Sequence, residues 1–216
     1  MRTAGSSKLL IVLTLAGAGG GIWLFNSTSN RLMKTEGLAD LETIESRLRD
    51  SLLAIDEESL RRMEGSCADL LETQAEDGTW PDIDYGDRSR YPWKPVEHLQ
   101  RVAIFSQALV TPDSVLNASP SLLEACRKGF SHWVERDYES DNWWYNQIYV
   151  PKLIGYILLC LERDLPKEVV DRGLRLMEKG RWRGMTGQNL SWVAGNEILR
   201  GCLTEDPALV WTAYDY

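Results

Sequence analysis

The residues best suited to chemistry lie between Asp141 and Pro151, in the run Asp-Asn-Trp-Trp-Tyr-Asn-Gln-Ile-Tyr-Val-Pro. Trp143 and Trp144 are adjacent there, flanked by the amides of Asn142, Asn146 and Gln147 and by the rings of Tyr145 and Tyr149. A helix facing a core repeats its apolar residues at three- and four-residue spacing, so neighbouring tryptophans cannot both point inward. At least one indole must face a loop, a groove or solvent. Indole faces stack on the C–H faces of sugar rings while amides bond the hydroxyls, so carbohydrate recognition is one use of such a cluster. Two large core residues at a helix start, their N–H groups satisfied locally, is the other.

Further candidates are few. The acidic residues of Asp77–Asp87 alternate with Trp, Tyr and Pro and do not have the spacing of a calcium loop, so neither a metal site nor a cofactor is expected. Cys67, Cys126, Cys160 and Cys202 lie far apart in apolar surroundings, which excludes zinc-ribbon and thioredoxin-type motifs and suits small buried residues. One disulfide stays open for an exported chain. Nine tryptophans in 216 residues are a clear excess.

Charge is unevenly placed along the chain. Between Glu36 and Asp87 there are 16 acidic against 4 basic residues, whereas residues 1–35 carry 4 basic and no acidic ones. An acidic N-terminal region argues against nucleic acid as a partner. It would not steer an anionic polymer either, so such a ligand must meet a local basic patch. Lys167–Arg183 is a candidate, with a solvated helix face as the alternative.

Several elements must position these residues. Residues 1–30 are read as a targeting segment: Arg2 and Lys8 precede an uncharged run from Leu9, and Ala16-Gly17-Ala18 fits a signal-peptidase site. The expected location is therefore outside the cytoplasm, extracellular or periplasmic. The alternative is an uncleaved membrane anchor over residues 9–25, the short end of a spanning helix. Residues 31–216 show only helical periodicity. Predicted helices run over residues 31–50, 57–76, 95–110, 120–136, 152–162 and 166–180, then after Asn189 and from Pro207. Ser119-Pro120 and Asp206-Pro207 mark two helix starts. About eight helices in antiparallel pairs, with polar and aromatic loops at one end, describe a helical bundle or toroid.

Three stretches then carry a resemblance. Asp77–Trp93, Asn142-Trp143-Trp144 with Gln147-Ile148 and Pro151, and Thr186-Gly187-Gln188-Asn189, in that order, resemble polysaccharide lyase family 8, which includes hyaluronate, chondroitin AC and xanthan lyases. The resemblance covers about residues 35–213 and implies the family's N-terminal helical domain. The implied fold class is all-α, an incomplete (α/α) toroid. It further implies β-elimination on an acidic, uronic-acid-containing polysaccharide such as hyaluronan, chondroitin or a xanthan-like polymer. Asn189 would neutralise the uronate carboxylate as the C5 proton leaves. Trp143 and Trp144 would form the aromatic platform, with Asn142 a neighbouring polar contact. Arg88 and Arg90 are added from residue chemistry alone, because a guanidinium fork fits a carboxylate or a sulfate. Loop-fixing ion pairs with Asp82, Asp84 or Asp87 are the alternative for both.

The chain departs from the family pattern in one respect. The family's base and acid are a His and a Tyr C-terminal to the Asn. Here the two histidines, His98 and His132, precede Asn189, and both sit on predicted helices as packing or surface residues. The 216-residue polypeptide is expected to show no lyase turnover alone. It is expected to be part of a longer lyase; a complete chain that binds glycan without cleaving it, or a purely structural remnant, is the alternative.

Overall fold

Helix boundaries follow the capping residues. Asp56 accepts the Ser59 N–H and opens one helix, Ser119 accepts the Leu122 N–H with Pro120 behind it, and Asp206 accepts from Ala208 and Leu209. Each satisfies backbone donors that a helix start leaves unpaired. The computed structural model describes residues 40–180 and 184–215. The segments read as signal (1–30) or anchor (9–25), and Arg181 and Arg183 of the basic stretch, lie outside them. No helix among the described residues is long and apolar enough to cross a membrane.

The described residues form α1 (residues 40–53), α2 (Glu57–Thr73), α3 (Val96–Val110), α4 (Pro120–Arg136), a π turn (Tyr145–Tyr149), α5 (Val150–Leu161), a 3₁₀ turn (Glu162–Asp164), α6 (Lys167–Met177), α7 (Gly187–Leu203) and α8 (Pro207–Tyr214). They contain no strand. α3, α5 and α7 lie side by side; α4 and α6 form a second row against them, with α2 on α3 and α8 on α7. Short connections make consecutive helices antiparallel, which gives the all-α, incomplete (α/α) toroid. α5 lies at the centre of this arrangement, with ten of its twelve residues buried. Its Gly155 allows close approach, because a Cβ there would stand 2.5 Å from Leu199 Cδ2.

Antiparallel order sorts the connections by end. Residues 74–95, 137–142, 178–180 and 184–186 share one end, and the other connections between described helices share the opposite one. All three sequence stretches singled out above fall at the first end.

Two elements differ from their expected limits. α2 stops at Thr73 and does not run on to residue 76, because the Ala75 N–H turns to Thr79 O (2.8 Å) and the Gln74 amide bonds Gly78 O and Ala125 O. The helix expected from Lys152 is continuous with the preceding π turn, so Trp143 onward is helical.

Candidate functional site

The α2–α3 loop is built by its own side chains. Trp80 and Trp93 are fully buried; their indole N–H groups donate to Leu70 O (3.0 Å) and Asp87 O (2.9 Å). Asp77, Asp84 and Asp87 accept from nearby loop donors, which holds the Asp77 and Asp87 carboxyls below their usual range. Asp82 pairs with Arg101 through both carboxylate oxygens. The loop's tryptophans and acids thus serve as anchors and are not free for a ligand.

The α4–α5 connection is joined to that loop. Ser140 Oγ donates to Ser89 O (2.8 Å) and Asp141 N to Arg88 O (2.9 Å). Arg90 donates to Asp141 O at 3.0 Å and Arg88 Nε reaches the Asp141 carboxylate at 3.3 Å. The loop-fixing partner of both arginines is therefore Asp141, not Asp82, Asp84 or Asp87, which have other donors or lie elsewhere in the loop. Both arginines remain exposed. Asn142 is committed on both sides of its amide: Nδ2 donates to Arg90 O (3.1 Å) and Oδ1 accepts Trp144 N–H (3.1 Å). On the far side, Lys179 bonds Asp137 (2.6 Å) and Glu139 (2.9 Å), tying in the α6–α7 connection.

The adjacent tryptophans part company. Trp143 is 43 % exposed, while Trp144 is half-buried against the core. Trp144 stacks on Tyr149, with centroids 5.2 Å apart and planes 20° from parallel. In an α-helix, residues five apart point well away from each other. The π turn, in which Val150 N–H reaches back to Tyr145 O, widens the coil and brings residue 144 over residue 149. Pro151 follows and has no N–H to give to a regular helical ladder. Gln100 from α3 steadies the stack by donating to the Tyr149 hydroxyl at 3.0 Å.

Trp192 of α7 meets Trp144 edge-on, with centroids 5.8 Å apart and planes at 77°. Asn189 lies three residues earlier on α7 and so shares that side of the helix. Its amide has no hydrogen bond among the described residues, and Thr186 supplies no side-chain cap to the start of α7. A partly exposed amide and uncapped backbone N–H groups therefore stand one turn from a ring that touches the aromatic stack. Sequence reasoning named Trp143, Trp144 and Asn189, with the Tyr149 ring in the same cluster, but missed Trp192 and Gln100. The three-residue spacing from Asn189 to Trp192 was a usable signal; the Trp144–Tyr149 stack was hidden because it depends on the π turn.

Both histidines belong to the packing beneath this end. His98 is fully buried. The Tyr85 hydroxyl accepts Trp80 N–H (3.1 Å), so its own proton goes to His98 Nδ1 (2.9 Å), and His98 Nε2–H donates to Gly129 O (2.8 Å). Burial pushes His98 down to about 4, keeping the ring neutral. His132 stacks on His98 at 5.7 Å and bonds the Tyr138 hydroxyl at 2.9 Å; burial lowers it as well. No group of three or more His, Cys, Asp or Glu among the described residues is placed to hold a metal ion.

Residues 40–215 match the family description "Polysaccharide lyase family 8, N terminal alpha-helical domain". A chondroitinase-AC from Pedobacter heparinus is 30 % identical over 154 residues, which is 70 % of this chain and 22 % of that protein. The chain thus spans about a fifth of the length of that curated relative. A solved chondroitinase AC lyase superposes with a TM-score of 0.73 at 28 % identity, covering 80 % of this chain and 26 % of the other. A Paenibacillus xanthan lyase shares the fold at 15 % identity, with a TM-score of 0.68 over 82 % of this chain and 19 % of the other.

Proposed function

The chain belongs to polysaccharide lyase family 8, and from that premise we propose that it is the glycan-binding helical part of an exported lyase cleaving an acidic, uronic-acid-containing polysaccharide. Hyaluronan, chondroitin or a xanthan-like polymer fits the chemistry. The observation that carries this is the contact between Trp144 and Trp192, with the Asn189 amide, unpaired among the described residues, one turn away. It supports a reading in which Trp143 and Trp144 form an aromatic platform and Asn189 a carboxylate donor beside it.

In this account the exposed Trp143 ring stacks on a pyranose face, and Trp144 is its rigid backing. Asn189 donates to the uronate carboxylate as the C5–H bond breaks, the C4–C5 double bond forms and the C4–O bond releases the leaving sugar. Charge that accumulates on the carboxylate is then met by a donor already in place. Asn142, engaged on both sides of its amide, acts by fixing the angle at which Trp143 and Trp144 leave the loop. Arg88 and Arg90 hold the polymer's anionic groups beside the platform. A nucleic-acid partner is not part of this reading, and a membrane is part of it only if residues 9–25 stay attached.

The proton-transfer groups are not among these 216 residues. His98 has both nitrogens committed and titrates near 4, and His132 is held by Tyr138. In this reading the polypeptide alone binds glycan without cleaving it. A tryptophan-fluorescence titration with hyaluronan or chondroitin oligosaccharides tests the binding. A saturable change in the wild type, lost in Trp143→Ala/Trp144→Ala, is expected. No change in the wild type, or an equal one in the double variant, leaves only a structural role for the stretch.

A further inference from the structure

A cleft of about 310 Å³ opens between the α2–α3 and α4–α5 connections, with Tyr85, Arg88, Arg136 and Tyr138 among its walls. It belongs to the same end of the fold as the platform, and the carbonyl of its Arg88 accepts Asp141 N–H two residues before Trp143. Its size is at the lower end of small-ligand clefts, about 300–1,000 Å³, and suits one monosaccharide ring.

The free hydrogen-bond donors of this cleft are of one kind. Asp87 already accepts from Ser89 N, Ser89 Oγ and Lys94 N. Asp137 and Glu139 both take Lys179. The tyrosine hydroxyls turn inward, Tyr85 to His98 and Tyr138 to His132, leaving the two rings, 5.2 Å apart, as apolar lining. Arg88 spends only Nε on Asp141, so both its terminal nitrogens are free of partners among the described residues. Arg136, the last residue of α4, has no ion pair or hydrogen bond among the described residues. Beside the carboxylates of Asp87, Asp137 and Glu139, the cleft's uncommitted donors are the guanidinium groups of Arg88 and Arg136, and a planar guanidinium is best matched by an oxyanion.

We propose that this cleft is a second saccharide subsite, in which Arg136 and Arg88 bind the carboxylate or sulfate of an acidic sugar further along the chain held by the tryptophans. The proposal rests on the glycan-binding function above. Arg136 is its specific determinant, since Arg88 also fixes the loop.

Isothermal titration of the 216-residue protein tests it, using hyaluronan and chondroitin 4-sulfate as disaccharides and as hexasaccharides. Arg136→Ala should weaken hexasaccharide binding about tenfold, the loss expected for one charge-assisted contact. It should leave the disaccharide, which fills the platform alone, unchanged. The melting temperature should also stay put, because Arg136 has no hydrogen-bond or ion-pair partner among the described residues to lose. A loss on both polymers assigns the contact to a carboxylate, and a loss only on the sulfated one assigns it to sulfate. Hexasaccharide binding equal to wild type overturns the subsite and leaves the platform standing. If the wild type binds neither polymer, the subsite falls together with the glycan-binding function.

Discussion

Acidification should destabilise this protein through a single buried ring. His98 carries a pKa of about 4 in the fold against about 6.5 in an unfolded chain. Between those values the unfolded state binds a proton that the folded state refuses, so stability falls as pH drops. Integrating from pH 7 to pH 4.5 gives a loss of about 2.5 kcal/mol from this residue. His132, lowered less and half-buried, loses stability in the same direction. The carboxyls of Asp56, Asp77, Asp82 and Asp87 are held below their usual range; their stabilisation is lost at still lower pH, as the unfolded-state value near 3.9 is passed. Burial raises Glu162, which gains stability as pH falls, so the loss of stability above pH 4.5 comes from the histidines. Urea midpoints at pH 7 and 4.5 measure it, with His98→Gln as the perturbation, since an amide can keep the bonds to Tyr85 and Gly129 but does not titrate. The variant should lose most of the pH dependence, whatever its absolute stability, while His132→Gln should keep the larger share. A His98→Gln variant with the full wild-type pH dependence would refute the assignment and reopen His98 as a chargeable group.

Other consequences follow from named contacts. Gly78→Ala should cost about 3 kcal/mol, combining left-handed backbone strain with overpacking, because φ is +85° and a Cβ would stand 2.5–2.7 Å from the Lys128–Gly129 backbone. Calorimetry should show a melting temperature lower by about 6–12 °C. Trp192→Ala should weaken oligosaccharide binding several-fold without removing Trp143, by letting Trp144 shift; a binding constant equal to wild type would show that the Trp144 backing is not needed. The purified 216-residue protein should generate no ultraviolet-absorbing unsaturated uronate from hyaluronan or chondroitin, and a steady rise in absorbance would show that the proton-transfer groups are present after all.

Much of this fold was readable because its signals are local. Ser119-Pro120 and Asp206-Pro207 cap helices by chemistry that needs no tertiary partner, and the apolar spacing of α3 through α6 marks the faces that meet. The π turn was not readable. It depends on Pro151 withholding a donor and on long-range support, such as the buried Asn196 amide donating to Ile148 O at 2.9 Å. Candidate residues divided along the same line. Trp143 was identified because adjacent tryptophans cannot both be buried in a helix. The role of Asn142 was obscured because its partner, Arg90 O, lies 52 residues away in sequence. The Arg88–Asp141 pair escaped for the same reason: acids close in sequence were the natural guess, while folding brought in one 53 residues distant.

The central claim is that an aromatic platform and the Asn189 amide together recognise a uronate. Calorimetric titration with a chondroitin hexasaccharide and its carboxyl-reduced counterpart tests this most directly, in wild type and Asn189→Ala. Since Asn189 bonds no other described residue, the variant should fold normally. The wild type should bind the uronate form about tenfold more tightly, as for a hydrogen bond to a charged group, and Asn189→Ala should shrink that preference while retaining binding to the reduced form. Equal affinity of the wild type for both forms, or an undiminished preference in Asn189→Ala, would contradict the account.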